Sequence, residues 1–442
     1  MLKLKDVLPS GEFLGDRNVL ESSYLGLSID SRRVKKGQIF VAIKGRRHDG
    51  HDFVESALTS GATLSVVERE LPYRPILVVE DTLKALWEIA GKVLDYYDPF
   101  RIGVTGTCGK TTVKEMLYTI LSGFKRVEKT KGNENNLIGL PLNMANMGDC
   151  DVFIAELGTN SPGEISTLSK LFKPDVAVIT AIGEGHLEGL RSLEGVFIEK
   201  IGILDGMDGG ILIFPGDSPF FEEARKIADR KGISVVTFYE SEVMELEPGC
   251  YRFNVDGRDF EGSFSFSGIH MGIDALIAIK TVRTIGIEVD RAIEALKSFL
   301  PVKSRFNVIK LSNFTVIDDT YNANPLSTKN ALLNLFRFKG RKIFVFGSMM
   351  ELGDRSEELH REIGSLAFRC GFELMYTFGE FARYALEEFV LQGGRGYHYD
   401  THEDLIKDLL KEIREGDVIL VKGSRAMTME RIVEGILKCY GN

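Results

Sequence analysis

The chain is poor in tryptophan and cysteine, and it has no long apolar run. One Trp and five Cys occur in 442 residues. Cys108, Cys150, Cys250, Cys370 and Cys439 are odd in number, scattered and without a CxxC pair, which argues against both a disulfide framework and a zinc site. No stretch reaches the roughly 18 apolar residues that a membrane helix needs, so membrane insertion is not expected. The opening MLKLKDVLPSGEF lacks the apolar core and small-residue cleavage site of a secretory signal, and a cytoplasmic location is expected. Excess positive charge is also missing: the formal net charge is −9, so the chain as a whole draws no nucleic acid to it, and no such partner is expected. Low-complexity tracts and short-period repeats are absent, which excludes a solenoid.

What is present is an ordinary globular composition, 44% hydrophobic and 27% charged, in a chain too long for one core. Short apolar runs (QIFVAIKG, ATLSVVE, PILVVE) and a helix-like HDFVESALTSG suggest a small α/β N-terminal domain over residues 1–80. DTLKALWEIAGKVLDYY has helical spacing and breaks at Asp98-Pro99. From there RIGVTG, DVFIAELG, DVAVITAIG and GGILIFPG alternate with helix-length segments, which predicts a doubly wound parallel-sheet central domain over 81–300. After Leu300-Pro301, FTVIDD, KIFVFGS, LMYTFG and DVILVKGS repeat the pattern, and a Rossmann-like C-terminal domain is expected over 301–442. The fold class is therefore α/β in three domains.

Gly103 to Thr112 reads GVTGTCGKTT and runs into VKEMLYTIL, where Val113, Met116, Leu117, Ile120 and Leu121 recur at helical spacing. A strand, a glycine-bearing loop and a helix start collect backbone N–H groups and the positive helix end at one point, which suits a polyphosphate. Lys110 is placed to reach the β- and γ-phosphates, and the Thr111 hydroxyl to meet Mg²⁺. The glycine expected at Val104 in a standard phosphate loop is missing, and Gly106 with Gly109 gives a more compact form. Cys108 stands where a small polar residue is expected and is assigned no thiol chemistry. Glu156 ends one apolar run and His186 follows another, so both reach the ligand-binding edge of an open α/β sheet. On these residues alone, Glu156 reads equally as a turn cap and His186 as a structural histidine. Lys200, in a helical segment that Ser192 would cap, reads as a solvated lysine.

Eight ordered blocks go further: IDSRRVKKGQIFVAIKGRRHDGHDF, TGTCGKTTVKEML, GNENNLIGLPLNM, AELGTNSPGEI, GEGHLEGLRSLEGV, IDDTYNANPLST, MMELGDRSEELH and VKGSRAMTME. Together they resemble the Mur ligase family over nearly the whole chain, and DDTYNANP resembles the member that adds a dipeptide. The resemblance implies ATP-dependent ligation of D-alanyl-D-alanine to UDP-N-acetylmuramoyl-tripeptide through an acyl phosphate, by an enzyme acting as a monomer. It implies an ATP site at Gly106, Thr107, Cys108, Gly109, Lys110, Thr111 and Thr112, completed by Arg305 at the phosphates and Asp319 at the ribose. It also implies two Mg²⁺ ions, one held by Thr111 and Glu156 and a second held or oriented by His186 and a carbamylated Lys200. Lys110, Glu156, His186 and Lys200 thus form the expected catalytic set. Asp30, Ser31, Arg32 and Lys44, with Asp49 and Gly50 nearby, match the UDP-sugar block. Asn133, Asn135, Asn136 and Asn160 are expected at the muramoyl-peptide, and Tyr321, Asn322 and Asn324 near the incoming amine. Pro215, Met271 and Asp274 depart from the family's nucleotide-contact blocks, so adenine contacts do not carry over. Rival readings are another ligase of the superfamily, folylpolyglutamate synthase included, and a nucleotide-gated switch without ligation.

Overall fold

The structure, a computed structural model, describes residues 2–45, 47–336 and 338–441. Among these residues the strands form four sheets. The first has five strands between Glu12 and Val78, parallel except for the antiparallel edge strand Glu12–Leu14. QIFVAIKG, ATLSVVE and PILVVE supply its strands Ile39–Val41, Leu64–Val67 and Ile76–Val78. HDFVESALTSG folds as a 3₁₀ turn, Gly50–Phe53, followed by a short helix, Val54–Thr59.

The second sheet is all parallel, in the order Ser234–Phe238, Ile211–Pro215, Val176–Ile179, Phe100–Thr105, Val152–Glu156, Val127–Lys129. Phe100–Thr105 comes first in the chain yet lies in the interior of the sheet. The next two strands are laid on one side of it and the following three on the other. That reversal opens a crevice at its carboxyl end, where helices on either face cannot close over the sheet.

Val113, Met116, Leu117, Ile120 and Leu121 of the helix Lys110–Ser122 are fully buried, as their spacing predicts. They pack in one core with the helix Ile269–Thr284, which is apolar nearly all round and sunk between that helix and a three-stranded antiparallel ribbon, Val243–Ser263. On the opposite face, the helix Thr82–Tyr97 joins the central sheet to the N-terminal one in a single hydrophobic cluster. Its start is fixed by Asp81, whose carboxylate accepts from Leu83 N at 2.8 Å and Lys84 N at 2.9 Å.

The fourth sheet runs Asn307–Lys310, Thr315–Asp319, Val418–Lys422, Lys342–Gly347, Phe372–Phe378, Arg395–Tyr399, with only the first pair antiparallel. Its two faces carry separate apolar clusters, the arrangement of a sheet covered by helices on both sides. The α/β fold class expected from the strand–helix alternation is the one observed. No helix among the described residues is long and apolar enough to cross a membrane.

Candidate active site

The carboxyl edges of the second and fourth sheets face one cleft of about 760 Å³. Thr107 through Thr112 line its central wall. The loop is tight because two glycines permit it. At Gly106, φ is 145° and an added Cβ would lie 2.0 Å from Thr180 Oγ1; at Gly109, φ is 81° and a Cβ would lie 2.5 Å from Asp274 Oδ1. Thr107 Oγ1 donates to Gly183 O at 3.0 Å, which ties the loop to the end of the neighbouring strand. Lys110 folds back to donate to Gly106 O at 2.7 Å, and burial holds its ammonium below the ordinary lysine range, with Glu156 pulling the other way. An arriving anion would relieve that burial cost.

Glu156 closes its strand and is 2% exposed. Its Oε2 accepts from Thr111 Oγ1 at 2.9 Å and its Oε1 from Asn135 Nδ2 at 2.8 Å. A hydroxyl and a carboxylate side by side, with room toward the loop, are a donor set for Mg²⁺, which binds few protein oxygens and keeps water and phosphate as further ligands. No cluster of three or more His, Cys, Asp or Glu suited to a metal occurs among the described residues, so any ion there depends on those outside ligands.

His186 lines the same cleft, at the start of the short helix Leu187–Leu190 with φ 55°, and its Nδ1 lies 2.6 Å from the Glu351 carboxylate. Glu351 belongs to the segment after the C-terminal strand Lys342–Gly347, so this contact crosses between sheets. Lys200 lies behind the cleft wall on the helix Leu193–Ile201, which Ser192 caps by accepting from Gly195 N at 3.1 Å. It is 1% exposed, so the solvated-lysine reading of its sequence context does not hold. Burial, reinforced by the charge of Lys110, brings its ammonium down to about 7. Roughly half of such a lysine is a neutral amine at pH 7, the form that can react with CO₂.

The C-terminal wall enters by a few long-range contacts. Arg305 donates from Nη2 to Thr111 Oγ1 at 2.9 Å and stacks over Tyr321 at 4.0 Å. Its Nε is buried with no hydrogen-bond partner among the described residues, a donor still waiting for an acceptor such as a phosphate oxygen. Asp319 ends the strand Thr315–Asp319; it accepts from Phe306 N at 3.1 Å and from Lys422 Nζ at 2.6 Å. Asn324 caps the helix Pro325–Leu335 and donates to Thr107 O at 3.3 Å. Asn322 Oδ1 accepts from Arg425 N at 3.2 Å.

Asn133, Asn135, Asn136 and Asn160 also line the cleft. Asn136 is partly spent on the local turn, accepting from Ile138 N at 3.1 Å and Gly139 N at 2.9 Å. Pro215, Met271 and Asp274 are in the lining as well. Burial pushes the Asp274 carboxyl well above its usual range, against the opposing pull of Arg305. The Cys108 thiol is pushed up to about 12 by burial, which fits the absence of any assigned thiol chemistry.

The UDP-sugar set is not brought to this cleft. Asp30 follows the strand Leu27–Ser28, Ser31 is buried behind it, and Arg32 turns back to pair with Asp30 at 2.8 Å. Lys44 bridges Asp49 through the backbone, and Asp49 takes His51 at 2.6 Å. The sequence reading passed over Lys422, Glu351, His270 and Arg425, all in the lining. For Lys422 a signal exists: a lysine at the end of the apolar run DVILVKGS, at the same sheet edge as Asp319.

Comparison with known proteins agrees with this architecture. Three family descriptions match in order: Mur ligase family, catalytic domain, over 23–90; Mur ligase middle domain over 104–282; and Mur ligase, glutamate ligase domain, over 304–425. The chain is 35% identical to the UDP-N-acetylmuramoyl-tripeptide–D-alanyl-D-alanine ligase of Bacillus subtilis, covering 93% of both chains. It is 32% identical to the ligase of that name from Escherichia coli, covering 98% of this chain and 97% of the other. Among solved structures, MurF from Acinetobacter baumannii superposes with a TM-score of 0.87 at 28% identity, over 97% of this chain and 99% of that one. MurF from Thermotoga maritima in complex with ADP gives 0.85 at 31%, over 93% and 97%. A folylpolyglutamate synthase from Mycobacterium tuberculosis, at 16% identity and 0.64, shares the fold alone. On this combination of ordered domains, full-length identity and a shared cleft, the chain belongs to the Mur ligase family.

Proposed function

We propose that this chain is the ATP-dependent ligase that joins D-alanyl-D-alanine to UDP-N-acetylmuramoyl-tripeptide, forming the pentapeptide precursor of peptidoglycan. The observation that carries the reading is the meeting of the phosphate loop with Glu156, Arg305, Asp319 and the Asn322–Asn324 block in one cleft, in a chain that matches such ligases end to end. The proposed division into residues 1–80 for the UDP-sugar, 81–300 for ATP and 301–442 for the amine side gives each substrate its own sheet. ATP and a UDP-linked substrate are cytoplasmic metabolites, which supports a cytoplasmic enzyme.

A carboxylate is a poor acylating agent, because its carbonyl carbon is electron-rich and it would have to expel oxide. The tripeptide carboxylate oxygen therefore attacks the γ-phosphorus of ATP, the bond to the β-phosphate oxygen breaks, and ADP leaves with the electron pair. The dipeptide amine then adds to the acyl phosphate, loses a proton, and the tetrahedral intermediate expels phosphate. The protein's part is mainly to hold anions together and neutralise their charge. Lys110 and the first N–H groups of its helix take the β- and γ-oxygens. Arg305 presents its unpartnered Nε at the same place, and Asp319 faces the ribose. Asn133, Asn135, Asn136 and Asn160 orient the acceptor peptide, while Tyr321, Asn322 and Asn324 border the amine. Asp30, Ser31, Arg32 and Lys44 hold the UDP end, distant from the chemistry.

Thr111 and Glu156 fit one Mg²⁺, which when bound would supply charge neutralisation at the phosphates. His186 and Lys200 are our proposed residues for a second. Lys200 would serve there as its carbamate, formed when the neutral amine adds CO₂ and releases a proton. The low-lying ammonium of Lys200 supports this part of the reading. A phosphate-release assay with ATP and UDP-muramoyl-tripeptide tests the whole. Release is expected only when D-alanyl-D-alanine is added, and not with single amino acids or glutamate. Release independent of the dipeptide would sink the reading and favour a nucleotide switch.

A further inference from the structure

The mechanism leaves unused the most deeply placed cation near the cleft. Lys114 follows Lys110 by one helical turn and is fully buried. Its Nζ donates to Thr130 O at 2.9 Å and to Gly132 O at 3.2 Å. It also lies 3.8 Å from Glu156 Oε2 and 3.3 Å from Glu115 Oε1. Three pieces of chain meet at this one ammonium. They are the helix behind the phosphate loop, the strand end that carries Glu156, and the segment 130–136 that carries the asparagines. Two more bonds lock the same junction: Glu156 N donates to Thr130 Oγ1 at 3.0 Å, and Asn135 Nδ2 donates to Glu156 Oε1 at 2.8 Å.

A buried ammonium is a costly way to fill space. An apolar side chain of similar length usually packs there as well or better, so the charge calls for a reason beyond stability. We propose that Lys114 is a positioning residue that couples the nucleotide site to the acceptor-peptide segment. It faces Glu156 from the side away from the cleft, so that a second anion, the polyphosphate, can approach that carboxylate from the front. It holds the Thr130 and Gly132 carbonyls at the same time. Any shift of the phosphate-loop helix on nucleotide binding is thereby passed to Asn133, Asn135 and Asn136. A neutral residue could fill the site, but would pass on no such shift.

The inference rests on the ligase reading above, and the test separates the two. Calorimetry would measure binding of UDP-muramoyl-tripeptide with and without saturating MgADP, in the unaltered chain and in Lys114→Met. In the unaltered chain, MgADP is expected to tighten peptide binding by about tenfold, and the peptide to tighten MgADP equally. In Lys114→Met the affinity for MgADP alone should stay within about threefold, under 1 kcal/mol, while the coupling falls below about twofold. A purely structural lysine would shift the melting temperature or both affinities, but not their coupling. Should Lys114→Met lose its cooperative melt, Lys114→Arg decides. Its guanidinium keeps the charge but spreads its donors over a rigid plane where the ammonium holds both carbonyls from one point, so it should bind MgADP and lose at least half the coupling. Full coupling in a folded variant, or none in the unaltered chain, overturns the inference and leaves the ligase reading standing. Failure of the unaltered chain to bind the peptide at all overturns both.

Discussion

The two walls of the cleft are built differently. On the central side, Lys110, Thr111 and Glu156 are set by their own strand and helix, bonded to near neighbours in one parallel sheet. On the C-terminal side, Arg305, Asn324 and Glu351 reach across to Thr111, Thr107 and His186. Further out, Arg355 meets Glu184 at 2.5 Å, and Lys329 lies 4.0 Å from the same carboxylate. The central wall is thus built within one sheet, while the C-terminal wall meets it from another, with Leu187, Leu190 and Val196 packed into the C-terminal cluster and Asn334 accepting from Ile269 N at 2.7 Å. The first kind suits binding and charge neutralisation; the second suits a wall that must admit and release substrates.

If that contrast is real, changes in the central wall should cost most. Lys110→Ala should lower kcat by about 10²–10³-fold with the fold intact, as for removal of one group that stabilises developing charge. Steady-state kinetics beside a thermal melt checks it. Lys200→Ala should follow, at about 10–100-fold, and recover in part with added short carboxylic acids. Undiminished activity in that variant would reject the carbamate. The sign of its pH dependence is fixed. The folded value lies below the ordinary lysine value, so the neutral amine dominates above about 7 and is lost below it. Carbon-13 bicarbonate should therefore give a carbamate resonance that fades as pH falls through that region.

Contacts that fasten the second wall should cost less and act elsewhere. Arg305→Ala removes a hydrogen bond to Thr111 and the free Nε donor, and should raise the KM for ATP by about tenfold, the scale of one charged hydrogen bond. Glu184→Gln weakens a partly exposed ion pair with Arg355. It should raise the KM for the dipeptide by less than about fivefold and leave kcat almost unchanged. A larger effect from Glu184→Gln than from Arg305→Ala would erase the distinction between the walls.

The same contrast explains what the sequence made legible. Local patterns expose the central wall: an apolar strand, a glycine-bearing loop and a helix with one buried face all fall within Phe100–Ser122. The buried helix Ile269–Thr284 leaves no such trace, because burial on nearly all sides erases the period that marks an amphipathic helix. The ribbon Val243–Ser263 alternates buried and half-buried residues only along its middle strand, too short a signal to stand out. Fastening contacts such as Arg355 to Glu184 span 171 residues of sequence and obey no spacing rule. Lys200 reads as an ordinary helix lysine and Lys114 draws no notice in the sequence, which shows charge but not depth. For Lys200 the family resemblance supplied what the local pattern withheld; for Lys114 only the folded chain did.

In the proposed reaction the peptide carboxylate is activated by transfer of the γ-phosphoryl group before the amine attacks. UDP-muramoyl-tripeptide labelled with oxygen-18 in its reacting carboxylate, turned over with ATP and D-alanyl-D-alanine, tests it directly by mass spectrometry of the released phosphate. One labelled oxygen is expected in each phosphate released. Unlabelled phosphate formed alongside the ligated product would contradict it.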